Sequence, residues 1–490
     1  MLFTSLEFFA FVPLTLLLFA ALPAKGRWAW LLVASYFFYS FWQPSNLVYL
    51  GAVTLVVWAC GRALERTALE SARRGLLAAG LVAVLGSLFA FKFYDFVAGE
   101  LERLAGEVLA SERAFSLPRI GLTTPVGYSF YAFSAASYLV DIFLRRLPGA
   151  QSAGHAALYV AWFPKIFAGP IERATTFLPQ LAAGLRADPD RAVLGLQLIG
   201  WGLIKKVVIA DNLAPFVDRV FGIAAYASPI DLLIGVYFFA FQIYCDFSGY
   251  ADIAIGVSLL FGLRLMENFR RPYLSRSTAE FWGERWHISL SRWFRDYLYV
   301  PLGGSRAGPL RRYANLMLVF LVSGLWHAGL GYGVGWTFLV WGALNGAYQW
   351  AGVATRPVWR GVGEWLPRVS RSAALTALRV LLTFHLIAIA WVFFRARSLG
   401  DAFLILKKIG AQLVEMPQLV LRFPYTAEHA WGFALIAILL AIEIVDERRS
   451  IFQRLAAAPA AVRWGLWYLG IFALLILGRW QAREFIYMQF

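Results

Sequence analysis

The apolar positions of this chain fall in long blocks, and the polar positions gather between them. Residues 8–24 form the first block, uncharged until Lys25. Residues 28–61 then hold no Asp, Glu, Lys or Arg over 34 positions. The turn-forming run Gln43-Pro44-Ser45-Asn46 interrupts this second block, which predicts two short spans joined by a tight turn. Further blocks lie at 75–94 and 123–143, then near 192–210, 230–247, 249–263, 313–331, 333–353, 375–394, 430–445 and 463–479. Most approach the ~20 residues that a bilayer-spanning helix needs. The pattern predicts an all-α, polytopic membrane protein with roughly 11–12 transmembrane helices in one domain over residues 1–490. No charged leader and small-residue cleavage site flank the first block, so it reads as a retained span.

Two stretches depart from the pattern. Residues 99–119 mix Glu100, Glu102, Arg103, Glu107, Glu112 and Arg113 with leucines at helical spacing, which predicts an amphipathic interfacial helix. Residues 155–170 are short and interrupted by Gly and Pro, as in a re-entrant piece whose backbone must be satisfied by protein or water.

Composition narrows the class. Hydrophobic residues make up 60% of the chain and charged residues 15%, with a mean hydropathy of +0.63. Soluble domains average about 45–50% and about 25% on the same counts, so a soluble enzyme is excluded. The net charge of +16 has no nucleic-acid-binding motif beside it. Instead the basic residues sit in loops: Arg62, Arg66, Arg73 and Arg74; Arg145 and Arg146; Arg356, Arg360, Arg368 and Arg371; Arg448, Arg449 and Arg454. The positive-inside rule makes these loops cytoplasmic and puts both termini outside. Arg395, Arg397, Lys407 and Lys408 fall on the opposite side in that scheme. Cys60 and Cys245 lie in apolar blocks without metal-ligand spacing, so no metal site and no disulfide are expected.

The most polar stretch, 264–312, holds ten Arg, four acids and no Lys. Such a cluster suits bidentate phosphate recognition and equally suits anchoring to anionic lipid. Within it, 280–299 predicts an amphipathic helix. Trp282, Trp286, Leu290, Trp293 and Tyr297 would share one face, and Glu284, His287, Ser291 and Arg295 a polar stripe. His287 would then serve proton chemistry or be an interfacial hydrogen-bonded histidine. His327 is sharper, because residues 313–355 hold no charged residue over 43 positions. Counted from Arg312 at ~1.5 Å per residue, it lies roughly 22 Å along a helix. An ionisable group at that depth marks function by default, here as a neutral proton-accepting imidazole, unless a neighbouring helix simply binds it. His155 and His429 lie at span edges, and His385 reads as packing. Asp246, in Tyr244-Cys245-Asp246-Phe247-Ser248-Gly249-Tyr250, reads as a helix-terminus cap or a functional group.

Several runs together carry a resemblance. They are Phe163-Pro164-Lys165 with Ala168-Gly169-Pro170-Ile171-Glu172-Arg173, the Asp246 run continued through Ala251-Asp252, and Glu267-Asn268-Phe269-Arg270-Arg271-Pro272-Tyr273. To these add Phe281-Trp282-Gly283-Glu284-Arg285-Trp286-His287-Ile288-Ser289-Leu290-Ser291, Trp293-Phe294-Arg295-Asp296-Tyr297, Ser323-Gly324-Leu325-Trp326-His327 and Trp341-Gly342. Over nearly its whole length the chain resembles the membrane-bound O-acyltransferase family, most closely its bacterial alginate-type branch. Peptidoglycan, cellulose and teichoic-acid acyltransferases belong to the same family.

The resemblance implies that His327 and His287 are catalytic and line a central tunnel ringed by spanning, re-entrant and interfacial helices; they are 40 residues apart in sequence, so only the fold decides whether they meet. Trp286, Ser291, Arg295, Asp246 and Trp326 become candidates for lining the tunnel or holding the donor. It also implies no bound cofactor, acetyl-CoA as the donor substrate, a polysaccharide acceptor and contact with membrane lipid. The branch ends in an aromatic motif matched here by Phe485-Ile486-Tyr487-Met488-Gln489-Phe490, with Met488 where Phe is usual. Its Tyr487 would relay the acyl group to a periplasmic acetyltransferase partner, with the protein in the bacterial inner membrane. A transporter or flippase would explain the spans but not the WHISLS and SGLWH segments. A membrane glycosyltransferase would show paired acids outside the membrane.

Overall fold

The computed structural model describes residues 1–109, 116–147, 152–306, 308–328, 335–370, 372–480 and 483–486. Among the described residues there are helices and turns and no strand. The first apolar blocks become α1 (Leu6–Ala21), α2 (Arg27–Ser40), α3 (Asn46–Arg66) and α4 (Glu70–Lys92). They are followed by α5 (Tyr94–Leu109), α6 (Tyr128–Phe143), α7 (Ala153–Ala161), α8 (Ala174–Ala182), α9 (Pro189–Gly222) and α10 (Pro229–Leu260). Beyond the polar stretch come α11 (Ile288–Phe294), α12 (Pro309–His327), α13 (Gly335–Ala354), α14 (Ala373–Arg395), α15 (Leu399–Ala411), α16 (Ala427–Arg448) and α17 (Ala460–Leu477).

Among the described residues, seven helices are long and apolar enough to cross a membrane: α3, α4, α9, α10, α14, α16 and α17. The chain is a multi-pass, all-α membrane protein. Against the expected 11–12 spans, several blocks form shorter helices, such as the 16-residue α1. One expected pair of spans is a single helix: 230–247 and 249–263 fuse into the 32-residue α10. Gly249, the first residue of the second expected block, is where α10 crosses α9. A Cβ on Gly249 would stand 2.7 Å from the carbonyl oxygen of Gly202, and one on Gly202 would stand 2.6 Å from that of Gly249.

The described chain divides into two compact units, one of residues Met1–Gly195 and Ala254–Met266, the other of Leu196–Ile253 and Glu267–Ile486. In the first, α7 runs into buried, non-helical turns over 162–172. Trp162 Nε1 donates to Ser258 Oγ at 2.9 Å, and Glu172 accepts the backbone N–H of Met266 at 2.7 Å. Lys165, buried there, lies 4.5 Å over the Tyr159 ring, and burial pushes its ammonium pKa down to about 7.

The second unit carries the candidate chemistry. Its α12 and α13 pack backbone to backbone: a Cβ on Gly342 would fall 2.4 Å from the carbonyl oxygen of Phe320. Two of the charges on the unexpected side of the topology have partners within the chain. Arg395 pairs with Asp218 at 2.8 Å, and Lys408 donates to the carbonyls of Ala225 and Ala227.

Candidate active site

The expected helix over 280–299 does not exist as one element. Thr278–Glu280 is a single turn continued by a π turn, Phe281–Arg285. Trp286 is extended, and His287 takes the left-handed conformation, φ 43° and ψ 53°. Only then does α11 begin, and it ends in a second π turn, Arg295–Tyr299. The chain is pulled out of helix by the segment before it. Arg270 N–H donates to Arg285 O at 2.8 Å, and Ile288 N–H donates to Asn268 O at 2.9 Å. The inferred polar stripe therefore does not form. His287 is buried, Ser291 is half-buried, and Arg295 is exposed and paired with Asp296 at 2.8 Å.

Asn268 organises His287. Its Oδ1 accepts from Ser289 Oγ at 2.8 Å and from the Ser289 backbone N–H at 3.3 Å, and lies 3.0 Å from His287 Nδ1. A backbone N–H can only donate, so that amide atom is the oxygen, and His287 Nδ1 carries the proton. The remaining lone pair is on Nε2. His327, the last residue of α12, is arranged alike: its Nδ1 donates to the carbonyl of Ser323 at 2.7 Å. Both imidazoles thus carry their proton on Nδ1, which makes Nε2 the basic ring nitrogen.

The two rings share one aromatic box. His327 packs against Trp341 at 5.1 Å and Phe394 at 5.4 Å, and His287 against Phe247 at 4.8 Å. Trp326 lies between them, its ring 4.7 Å from that of His327 and 6.4 Å from that of His287. Burial holds the His287 imidazole well below the usual histidine range, and charge on His327 opposes its protonation further. The fold thus brings together the two histidines predicted from sequence, with Trp326. Two buried donors of this box, Asn268 Nδ2 and Trp341 Nε1, have no hydrogen-bond partner among the described residues. Trp286 packs beneath, its ring stacked on Phe281 at 5.4 Å and 5.0 Å from Trp391.

The other histidines have structural partners. His155 meets Trp28 edge to face, His385 Nε2 lies 2.9 Å from the Tyr237 hydroxyl, and His429 completes the N-terminal cap of α16 with Thr426.

Asp246 is not a helix cap. It sits within α10, 2% exposed, and bonds Lys206 Nζ at 2.7 Å; Lys206 also bonds Asp211 at 3.0 Å. Next to it Lys205 pairs with Asp252 at 2.7 Å, and the Tyr244 hydroxyl donates to Glu443. Both lysines point inward because Ile204–Ala210 is a π turn within α9. Sequence reasoning gave no role to Lys205, Lys206, Asp211 and Glu443, and quoted Asn268 and Asp252 only within the runs that carry the resemblance. The available signal was charge inside an apolar block, as for the lysines within 192–210.

Of the arginine cluster, Arg270 pairs with Glu267, and Arg295 with Asp296. Arg285 bonds Glu280 and Glu447, each at 2.7 Å, and Arg271 bonds Glu447 at 2.6 Å and also Asp446. These four are committed to carboxylates of the chain itself. Tyr487 lies outside the described residues. Among the described residues no group of three or more His, Cys, Asp or Glu is placed to hold a metal ion.

The family model of the membrane-bound O-acyltransferases matches residues 145–390, the segment that contains both histidines and Asn268. A probable alginate O-acetylase of Azotobacter vinelandii is 37% identical over 405 residues, covering 82% of this chain and 76% of the relative. The chain belongs to the membrane-bound O-acyltransferase family. The chain is also similar to a peptidoglycan O-acetyltransferase of Helicobacter pylori, 35% identical over 435 residues (82% and 78% covered), and to a teichoic acid D-alanyltransferase of Bacillus subtilis, 26% identical over 290 residues (57% and 71% covered). As an O-acyltransferase, the protein must take a proton from an attacking hydroxyl and stabilise negative charge on a carbonyl oxygen. An imidazole whose basic ring nitrogen is Nε2 suits the first task, and buried N–H donors suit the second.

Proposed function

We propose that this O-acyltransferase moves an acetyl group from cytoplasmic acetyl-CoA across the bacterial inner membrane for O-acetylation of a secreted or cell-envelope polysaccharide such as alginate. The observation that carries this reading is the matched orientation of two buried imidazoles, each with its Nδ1–H held by a carbonyl-type oxygen. His327 Nε2 takes the proton of the attacking hydroxyl as its oxygen bonds the thioester carbon. The C–S bond then breaks, and the thiolate takes the proton back from His327, so that an ester and a thiol leave. Asn268 Nδ2 and Trp341 Nε1 are the donors available to the carbonyl oxygen as charge builds, and His287 orients or stabilises the centre. Arginines of 264–312 outside the four ion-paired ones meet the donor phosphates or lipid head groups. Tyr487 receives the acyl group on the outward side and passes it to a periplasmic partner protein, the C-terminus facing the periplasm.

The similarity to the peptidoglycan O-acetyltransferase, close to that of the alginate relatives, favours peptidoglycan as the second acceptor to test. Membranes carrying the parent or His327→Ala at matched expression would be given acetyl-CoA labelled in the acetyl group. Label on protein, partner or polymer, with coenzyme A release, is expected in the parent and absent in the variant. Transfer that survives in His327→Ala moves the base elsewhere, His287 first. A parent that transfers nothing with partner and polymer present refutes acetyl-CoA as donor.

A further inference from the structure

Beyond α17 the chain turns back along the second unit and is fastened to it at successive points. The Arg479 N–H donates to Val207 O at 2.9 Å, and its Nε donates to Asn212 Oδ1 at 3.1 Å. Arg483 bonds Asp218 at 3.1 Å, a carboxylate it shares with Arg395. Phe485 is 1% exposed, its ring 5.0 Å from that of Tyr250, with the Lys206 ammonium 4.6 Å over its face. The N–H of Ile486 donates to Asp246 Oδ2 at 2.7 Å.

The buried ion network is shaped for this guest. Two carboxylates, Asp246 and Asp211, share the single ammonium of Lys206. That leaves one negative charge to be met by donors, and the tail brings the Ile486 N–H directly to Asp246. Asp246 spends one oxygen on Lys206 and the other on the tail. Oδ2 of Asp211, also buried, has no hydrogen-bond partner among the described residues, so the network can still accept a donor. Well-packed apolar side chains would give equal or better stability than such a buried ionic group, so its presence in the tail's seat points to a task beyond stability.

We infer that the Lys206–Asp246–Asp211 network is the receptor for the chain's own C-terminal segment, with Asp246 a positioning residue that sets where the last four residues leave the protein. Tyr487 follows the clamped Ile486 directly in sequence. Released back to Gly478, the same tyrosine would sit at the end of a tether reaching up to ~30 Å. A fixed departure point raises the local concentration of a carrier hydroxyl at its delivery site. This positioning role rests on the acyl-relay reading of Tyr487; the docking of the tail does not.

The test places a nitroxide on Glu484→Cys in a Cys60→Ser background, Cys245 being fully buried, in the full chain reconstituted in nanodiscs. A broad, immobilised spectrum is expected in this parent, and a motionally narrowed one in Asp246→Ala. Phe485→Ala, which alters only the tail's side of the contact, is expected to narrow it as well, and it decides alone if Asp246→Ala does not fold. With partner and polymer present, polymer acetylation should fall at least tenfold in kcat while the donor KM stays within twofold. A mobile nitroxide in the parent, or an immobile one in the folded variants, overturns the docking. A freed tail with unchanged polymer acetylation overturns the positioning role. A parent that consumes no acyl donor refutes the proposed function instead, and the spectra still decide the docking.

Discussion

Asn268 is the residue whose removal most directly tests the proposed centre. Asn268→Ala deletes one oxygen that accepts from His287 Nδ1 at 3.0 Å, Ser289 Oγ at 2.8 Å and Ser289 N–H at 3.3 Å. Each buried donor left without an acceptor costs about 1–3 kcal/mol. Part is recovered, because Ser289 Oγ already lies 3.4 Å from His287 Nδ1 and can turn to accept from it. The positive φ of His287, worth about 1–3 kcal/mol of strain in a non-glycine residue, also loses a restraint. A net destabilisation of about 2–5 kcal/mol follows. The catalytic loss is smaller than that of deleting a base, since the imidazole remains but neither its tautomer nor its angle is specified. A 10–100-fold fall in kcat, about 1.4–2.7 kcal/mol in the barrier, is expected. The assay is release of free thiol from acetyl-CoA by the reconstituted enzyme, alongside thermal unfolding in detergent. Asn268→Leu, similar in volume but without an acceptor, should resemble Asn268→Ala. A folded Asn268→Ala enzyme with kcat within twofold of the parent would refute the account of His287.

Three further outcomes are expected. His327→Gln should lower kcat by about 10²–10⁴ without a comparable change in unfolding temperature, measured in the same two assays. Because folding depresses the His287 pKa, the unfolded chain binds more protons as pH falls below about 6.5. The folded form should therefore lose up to about 1.4 kcal/mol per pH unit on acidification from this group, and thermal unfolding between pH 7.5 and 5 should show that component disappear in His287→Gln. Gly342→Ala should push α13 off α12, cost about 1–3 kcal/mol and lower activity by displacing His327. Gly352→Ala on the same helix, with nothing within 4 Å of its added Cβ, should change the unfolding temperature little.

Much of the architecture was legible because hydrocarbon thickness imposes block lengths that any reader can count. His327 was legible for a related reason, as the ionisable residue of an uncharged stretch of 43 positions. His287 was found through motif, but its setting was misread. The break that creates its conformation comes from Asn268, 19 residues earlier, and a periodicity argument sees only neighbours on one helix. The fusion of two expected spans into α10 was hidden likewise. Gly249 weakens a helix considered alone and permits a crossing when a second backbone is there to meet it. Asp246 looked terminal because its counter-charge, Lys206, lies 40 residues away on another helix.

The π turn at Ile204–Ala210 has a consequence for how charge is matched inside this helix. Lys206 and Asp211 are five residues apart and bridge at 3.0 Å. On a regular α-helix a five-residue step turns about 140° around the axis, too far for a bridge along one side. The wider turn brings the fifth residue back over the first, as its i→i+5 hydrogen bonding requires. The halves of α9 on either side are consequently out of phase by about one residue. A shift of one position anywhere between the two charges would separate ammonium from carboxylate while leaving overall hydropathy almost untouched. In this helix the pairing of buried ions is written in chain length as much as in residue type.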